Sequence, residues 1–200
     1  EVRQELGLAK LSSYDYIKRF KETNCILAFS PNVVLPADDL PENTYQTGYL
    51  FMENEADWQA PDDLLAFLDA GEAPIYLGFG SMSAVDPQAT LDMMLTAIAD
   101  TGQRAIIHSG WAGLSTDKQH DHIYFLDSAP HTWLFPKMKA IVHHGGAGTT
   151  ATSLRAGVPT FIIPHLGDQA YWGLRTYQLG VGPKPIPRPK LTSKKLADGI

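Results

Sequence analysis

The run Ala140-Ile141-Val142 passes straight into His143-His144-Gly145-Gly146-Ala147-Gly148-Thr149-Thr150, and that into a helix-compatible segment closed by Gly157-Val158-Pro159. A short β-branched run, a glycine turn, a helical stretch and a Gly/Pro stop describe one strand–loop–helix unit. A chain built of such units has few options: a parallel sheet whose crossovers carry helices. The loop itself has the chemistry of a phosphate cradle. Its glycines let backbone approach a ligand closely, and Thr149 and Thr150 offer hydroxyls. A helix beginning here also aims free N–H groups and its positive dipole end at an anion.

The same alternation runs through the chain after about residue 60. Residues 75–79 read as a buried strand and Gly80-Ser81-Met82-Ser83 as a turn, after which Asp86-Pro87 supplies an N-cap and an N1 proline. Leu91, Met94, Leu95 and Ile98 follow at helical spacing, with Gly102 where a C-terminal cap belongs. Further strands are predicted near residues 104–108, 123–126, 140–143 and 160–163, with helices starting near Thr149 and Asp168. The expected fold is α/β: a doubly wound, Rossmann-like parallel sheet with helices on both faces. Ligands of such sheets sit beyond the carboxyl ends of the strands. The loops at 80–81, 109–111, 128–131, 144–149 and 164–169 all fall on that edge and can form one site.

The opening residues differ. A helix across 14–21 and a strand at 25–29 precede a Pro/Asp/Asn-rich stretch at 31–43, which is connector chemistry. A boundary is expected near residue 46, dividing the chain into 1–46 and 47–200. Two hundred residues with 44% apolar content suffice for a packed core. A net charge of −6 argues against nucleic acid as a partner. Cys25 is the only cysteine, so no internal disulfide exists; a buried thiol and a reducing, cytoplasmic setting are expected. No apolar run nears the roughly 18 residues that span a bilayer. The chain begins without Met, and Lys195-Leu196-Ala197-Asp198-Gly199-Ile200 reads as a helix cut short, so a piece of a longer protein is expected.

Gly146-Ala147-Gly148-Thr149-Thr150-Ala151 also fits the G-x-G-x-x-A dinucleotide fingerprint, with Asp168 near the distance of a ribose-binding carboxylate. An NAD(P)-dependent oxidoreductase therefore stays open on the motif alone. The motif follows the fourth strand of the series rather than the first, which weighs against it. No G-x-x-x-x-G-K-[ST] occurs, which excludes a P-loop. His143 and His144 point to opposite faces at a strand end, and His120 and His122 lie in a polar stretch; no metal site is expected. Asp168-Gln169 reads either as the start of a helix or as a clamp for sugar hydroxyls, and both roles are compatible. Trp111, Trp133 and His131 are each open between a bland and a functional reading: core indoles and a surface imidazole, or stacking walls of a pocket.

Taken together, Gly78-Phe79-Gly80-Ser81, Ala129-Pro130-His131, the 144–149 loop, Gly157-Val158-Pro159 and Pro164-His165-Leu166-Gly167-Asp168-Gln169 resemble the donor-binding half of UDP-sugar glycosyltransferases of the two-Rossmann-domain (GT-B) type. Gly110-Trp111, Trp133-Leu134-Phe135-Pro136 and Gly180-Val181-Gly182-Pro183 make the chain similar to the sterol glucosyltransferase branch, with natural-product glycosyltransferases close by. The resemblance implies that His144 meets the α-phosphate of a UDP-sugar and that Gly148 and Thr149, in the loop with Gly146, meet the β-phosphate with Ser81. It also implies that Asp168 and Gln169 hold the sugar, with no metal or cofactor. Plant relatives place tryptophan on the uracil where this chain has Ser128, and glutamate on the ribose where it has Thr152. Trp111, His131 or backbone groups around Ala129 are expected to take over the base. The implied reaction transfers a hexose, glucose foremost, with inversion to a hydroxyl of a lipophilic acceptor. Its base is a histidine of an acceptor domain outside this chain, whose tail residues 1–46 would be. A sterol-like acceptor implies peripheral membrane contact of the whole protein. A non-catalytic nucleotide-sugar binding module is the remaining alternative.

Overall fold

The computed structural model describes residues 2–51, 58–79, 86–109 and 121–200, which fall into two compact units, Glu1–Phe51 and Met52–Ile200. In the first, α1 (Val2–Glu5) and α2 (Ser13–Glu22) precede β1 (Cys25–Leu27) and β2 (Thr44–Gln46). Ser12 starts α2 with a capping box: its hydroxyl accepts the Asp15 N–H at 3.1 Å, and the Asp15 carboxylate accepts the Ser12 N–H at 3.2 Å. β1 and β2 pair in parallel, Cys25 opposite Thr44. Cys25 is half-buried rather than buried: it opens a strand of a two-stranded sheet, and its thiol lies 3.5 Å from the Thr23 carbonyl.

The second unit runs α3 (Asp62–Asp69), β3 (Ile75–Gly78), α4 (Pro87–Thr101), β4 (Ala105–His108), β5 (Ile123–Leu126), α5 (His131–Leu134), β6 (Ala140–His143), α6 (Ala147–Ala156), β7 (Thr160–Ile162), α7 (Gln169–Gln178) and α8 (Ser193–Ala197). Its five strands form one parallel sheet in the order β5-β4-β3-β6-β7. Alternation sorts the side chains. Ile75, Leu77, Ala105, Ile107, Val142 and Phe161 face a core closed by Leu91, Met94 and Ile98 of α4 and Leu196 of α8. Tyr76, Ile106 and Ile141 face the other, closed by Leu64 of α3 and Leu134 of α5. Strands apolar on both sides are stable only between two helical layers, which is the doubly wound arrangement expected.

The caps follow residue chemistry. Asp86 accepts the Ala89 N–H at 2.9 Å and Pro87 takes the first turn of α4, while Gly102 at φ +64 ends it. α6 starts at Ala147, two residues before the expected Thr149, because Gly146 takes the cap position with extended backbone. α8 ends at Ala197, and the Asp198 N–H bonds the carbonyls of Leu196 and Lys194. Starting in the middle, the chain winds from β3 to β4 and β5, then crosses back to β6 and β7. The winding reverses between β3 and β6, so a crevice opens at their carboxyl ends and the loop after β6 lies beside it.

Candidate functional site

That loop is built around backbone. Gly145 takes φ +92, and a Cβ there would stand 2.6 Å from Ile162 Cγ2 and 3.0 Å from the Gln169 carbonyl, so only glycine fits. Gly146 caps α6 without a side chain, and the first ladder bond runs from the Thr150 N–H to the Gly146 carbonyl at 2.9 Å. The amides of Ala147, Gly148 and Thr149 therefore precede the ladder and carry the positive end of the helix dipole. Gly148 is exposed with nothing within 4 Å of where a Cβ would stand. Thr149 is half-buried, whereas the Thr150 hydroxyl is turned inward onto the Gly146 carbonyl at 2.9 Å. Of the two hydroxyls expected to face a ligand, Thr150 is thus spoken for, because a first-turn threonine bonds back to the cap carbonyl.

His144 reaches back over the cap: a Cβ on Gly146 would come within 2.6 Å of its Nε2. Partial burial holds its pKa below the ordinary imidazole value, against the opposing pull of the Asp168 carboxylate. Its Nδ1 is buried without a partner. The Asp168 influence ties this loop to the one after β7. Asp168 does occupy the N-cap position of α7, but its backbone is helical (φ −78, ψ −6) and its carboxylate caps nothing; it accepts the Trp172 indole N–H at 2.8 Å instead. Gln169 is buried, its Oε1 accepting the amides of His165 at 2.7 Å and Leu166 at 3.1 Å. Its side-chain carbonyl is consumed in shaping the loop, so the amide nitrogen is the group left to donate to a ligand.

The loop after β5 brings Ala129, half-buried, and His131 to the same edge. His131 is the first residue of α5 and is no surface imidazole: it stacks on Phe135 with ring centroids 4.3 Å apart, and its Nε2 lies 3.2 Å from the Tyr76 hydroxyl. Burial pushes its pKa down to about 4. Trp133 is half-buried, edge-on to Trp58 at 4.9 Å with Lys137 Nζ 4.2 Å over its ring. Ser128 is exposed, and the Thr152 hydroxyl bonds the Gly148 carbonyl at 3.0 Å. Ser81, Trp111 and His120 lie outside the described residues. Among the described residues no group of three His, Cys, Asp or Glu side chains is arranged to hold a metal ion.

The residue that the sequence reading passes over is His143. Its sequence context suggests at most a metal ligand, yet it is fully buried and its Nδ1 accepts the Gly145 N–H at 3.0 Å. The signal was its place at the end of an apolar strand, where alternation turns it toward the Tyr76 and Ile141 side of the sheet.

Comparison with known proteins agrees with this architecture. Residues 92–200 match the family described as erythromycin biosynthesis protein CIII-like, C-terminal domain. A sterol 3-beta-glucosyltransferase of Arabidopsis thaliana is 43% identical over 173 residues, which are 86% of this chain and 27% of that protein. The chain thus spans about a quarter of that relative's length. Among solved structures, the glycosyltransferase of kitacinnamycin superposes with a TM-score of 0.72 at 16% identity, over 98% of this chain and 50% of that one. Glycosyltransferase VinC, in complex with dTDP, is 28% identical with a TM-score of 0.53, over 69% of this chain and 34% of its own. The chain belongs to the family of erythromycin biosynthesis protein CIII-like C-terminal domains and has the fold of the GT-B glycosyltransferases.

Proposed function

We propose that this chain is the donor-binding half of a hexosyltransferase, which takes a UDP-sugar, with glucose the expected hexose, and passes the sugar with inversion to a hydroxyl of a sterol-like acceptor. One observation carries the reading: an uncapped N-terminus of a ten-residue helix at the point where the sheet winding reverses, with His144 over its cap and Asp168 within electrostatic reach. In this reading the amides of Ala147, Gly148 and Thr149 hold the diphosphate, His144 donates to the α-phosphate, and Ser81 adds a hydroxyl to the β-phosphate. Asp168 accepts from sugar hydroxyls with its remaining lone pairs, and the Gln169 amide nitrogen donates. Ala129, His131 and Trp111 border the base. Such donors stabilise the charge that grows on UDP as it leaves, which is electrostatic catalysis without a metal or cofactor. The 43% identity to a sterol 3-beta-glucosyltransferase supports the acceptor class, and the dTDP-bound relative supports a nucleoside diphosphate. A lipophilic acceptor brings with it peripheral contact of the whole protein with a membrane on the cytoplasmic side, and the base stands outside this chain. The family description favours a second acceptor class, natural products, with the same donor site.

Calorimetric titration with UDP, UDP-glucose and NADH tests the reading. UDP and UDP-glucose are expected to bind and NADH not to. His144→Ala is expected to weaken UDP about tenfold to a hundredfold, as for loss of a hydrogen bond to a charged group. NADH binding without UDP binding sinks the donor-site reading; unchanged UDP affinity in His144→Ala sinks the phosphate role of that ring.

A further inference from the structure

The His143 ring makes one hydrogen bond, from the Gly145 N–H to its Nδ1 at 3.0 Å, and its fully buried Nε2 has no partner. A neutral imidazole that accepts at Nδ1 carries its proton on Nε2. The ring therefore strands a donor in the interior, a cost that an apolar residue following Ile141 and Val142 would avoid. The compensating gain is at Nδ1. Gly145 is held at φ +92 with its Cα face against Ile162 and Gln169, and Gly146 follows at once as the cap of α6. Turning the Gly145 N–H inward onto the imidazole fixes the bend after which the amides of Ala147, Gly148 and Thr149 stand ahead of the ladder. Gln169, packed on that bend, is the residue whose Oε1 gathers the His165 and Leu166 amides. The His143 ring also stands perpendicular to His144, at 6.1 Å and 85°.

We infer that His143 is a positioning residue of the donor site: its Nδ1 latches Gly145 in the left-handed turn that aims the α6 N-terminus and seats His144, so it sets diphosphate affinity without touching the ligand. This rests on the donor-site reading above. Burial pushes the pKa of His143 down to about 3. Protonation would turn Nδ1 into a donor and break the latch, so deep burial keeps it closed at neutral pH.

The test compares His143→Asn, whose Oδ1 stands where Nδ1 stood, with His143→Leu, similar in bulk and without an acceptor, using calorimetry with UDP and the NMR signal of the Gly145 amide. His143→Leu is expected to lose about tenfold or more in UDP affinity, the fold-change for one buried N–H left unsatisfied, and to shift and deprotect the Gly145 amide. His143→Asn is expected to stay within about threefold of the parent and keep the amide signal, since it preserves the acceptor. If the leucine variant does not fold, His143→Phe, a planar ring of similar size without an acceptor, takes its place in the contrast. Parent-like affinity and an unmoved Gly145 amide in the acceptor-free variant overturn the inference, and so does equal loss in the Asn and Leu variants. A parent that does not bind UDP at all overturns the donor-site reading instead, while the Gly145 amide still reports on the latch.

Discussion

Gly145 and Gly148 lie in the same loop under opposite constraints. At Gly145 a methyl would meet Ile162 and Gln169 in a left-handed backbone, whereas at Gly148 it would meet nothing. Gly145→Ala is therefore expected to cost about 2–4 kcal/mol of stability from strain and overpacking together, seen as a lower urea midpoint. Gly148→Ala, in the first turn of α6, is expected to gain up to about 1 kcal/mol from helix propensity, yet to weaken UDP binding by crowding the outward amides. A stabilised Gly148→Ala that binds UDP as the parent does would show that nothing approaches this turn. At this scale the sequence was half legible. That glycines were needed could be read from the loop; that Thr150 folds back, or that Gln169 spends its carbonyl on two amides, depends on rotamers and on where α7 begins, which no local pattern encodes.

Elements were more legible than their ends. The five strands of the larger sheet and α4 lie within a residue or two of expectation because apolar runs and caps such as Asp86 and Gly102 mark them, whereas β2 is three residues with no such run and is not expected. α6 begins two residues early because a glycine cap leaves no side-chain signature, whereas α7 begins where expected, at Gln169, with Asp168 in the cap position but not capping. The Asp168 carboxylate instead clips Trp172 one turn along. Asp168→Ala should then leave α7 formed, cost about 1–2 kcal/mol for the indole N–H left without its charged partner, and separate two ligands. UDP-glucose affinity is expected to fall while UDP affinity changes little, because in the proposed donor site only the sugar reaches this loop. Equal losses for both ligands would move Asp168 from the sugar to the diphosphate.

The topology of the larger unit collects histidines from separate strands at one edge: His108 ends β4, His143 ends β6, His144 follows it, His131 opens α5 and His165 follows β7. Pairs among them lie with ring centroids 6.1 Å and 6.4 Å apart. The sequence showed the strands and their common edge, but not that these imidazoles would be packed and neutral, since burial is a property of the assembled layers. Desolvation lowers the pKa of all five, to about 4 for His131 and about 3 for His143. Against an unfolded value of 6.5, the unfolded chain binds more protons between that pH and the folded values. The stability these rings contribute is thus complete above pH 6.5 and drains as the pH falls toward 4. For His131 and His143 together the slope approaches about 2.7 kcal/mol per pH unit once both are charged only when unfolded. By pH 5 the two rings have withdrawn about 4 kcal/mol, a large share of a total of about 5–15 kcal/mol. Urea titrations at pH 7, 6 and 5 measure it directly. His131→Gln removes one of the two protons, so its slope should be shallower by about 1.4 kcal/mol per unit. An unchanged slope in that variant would mean that His131 titrates alike in both states and that its stack on Phe135 leaves it open to protons.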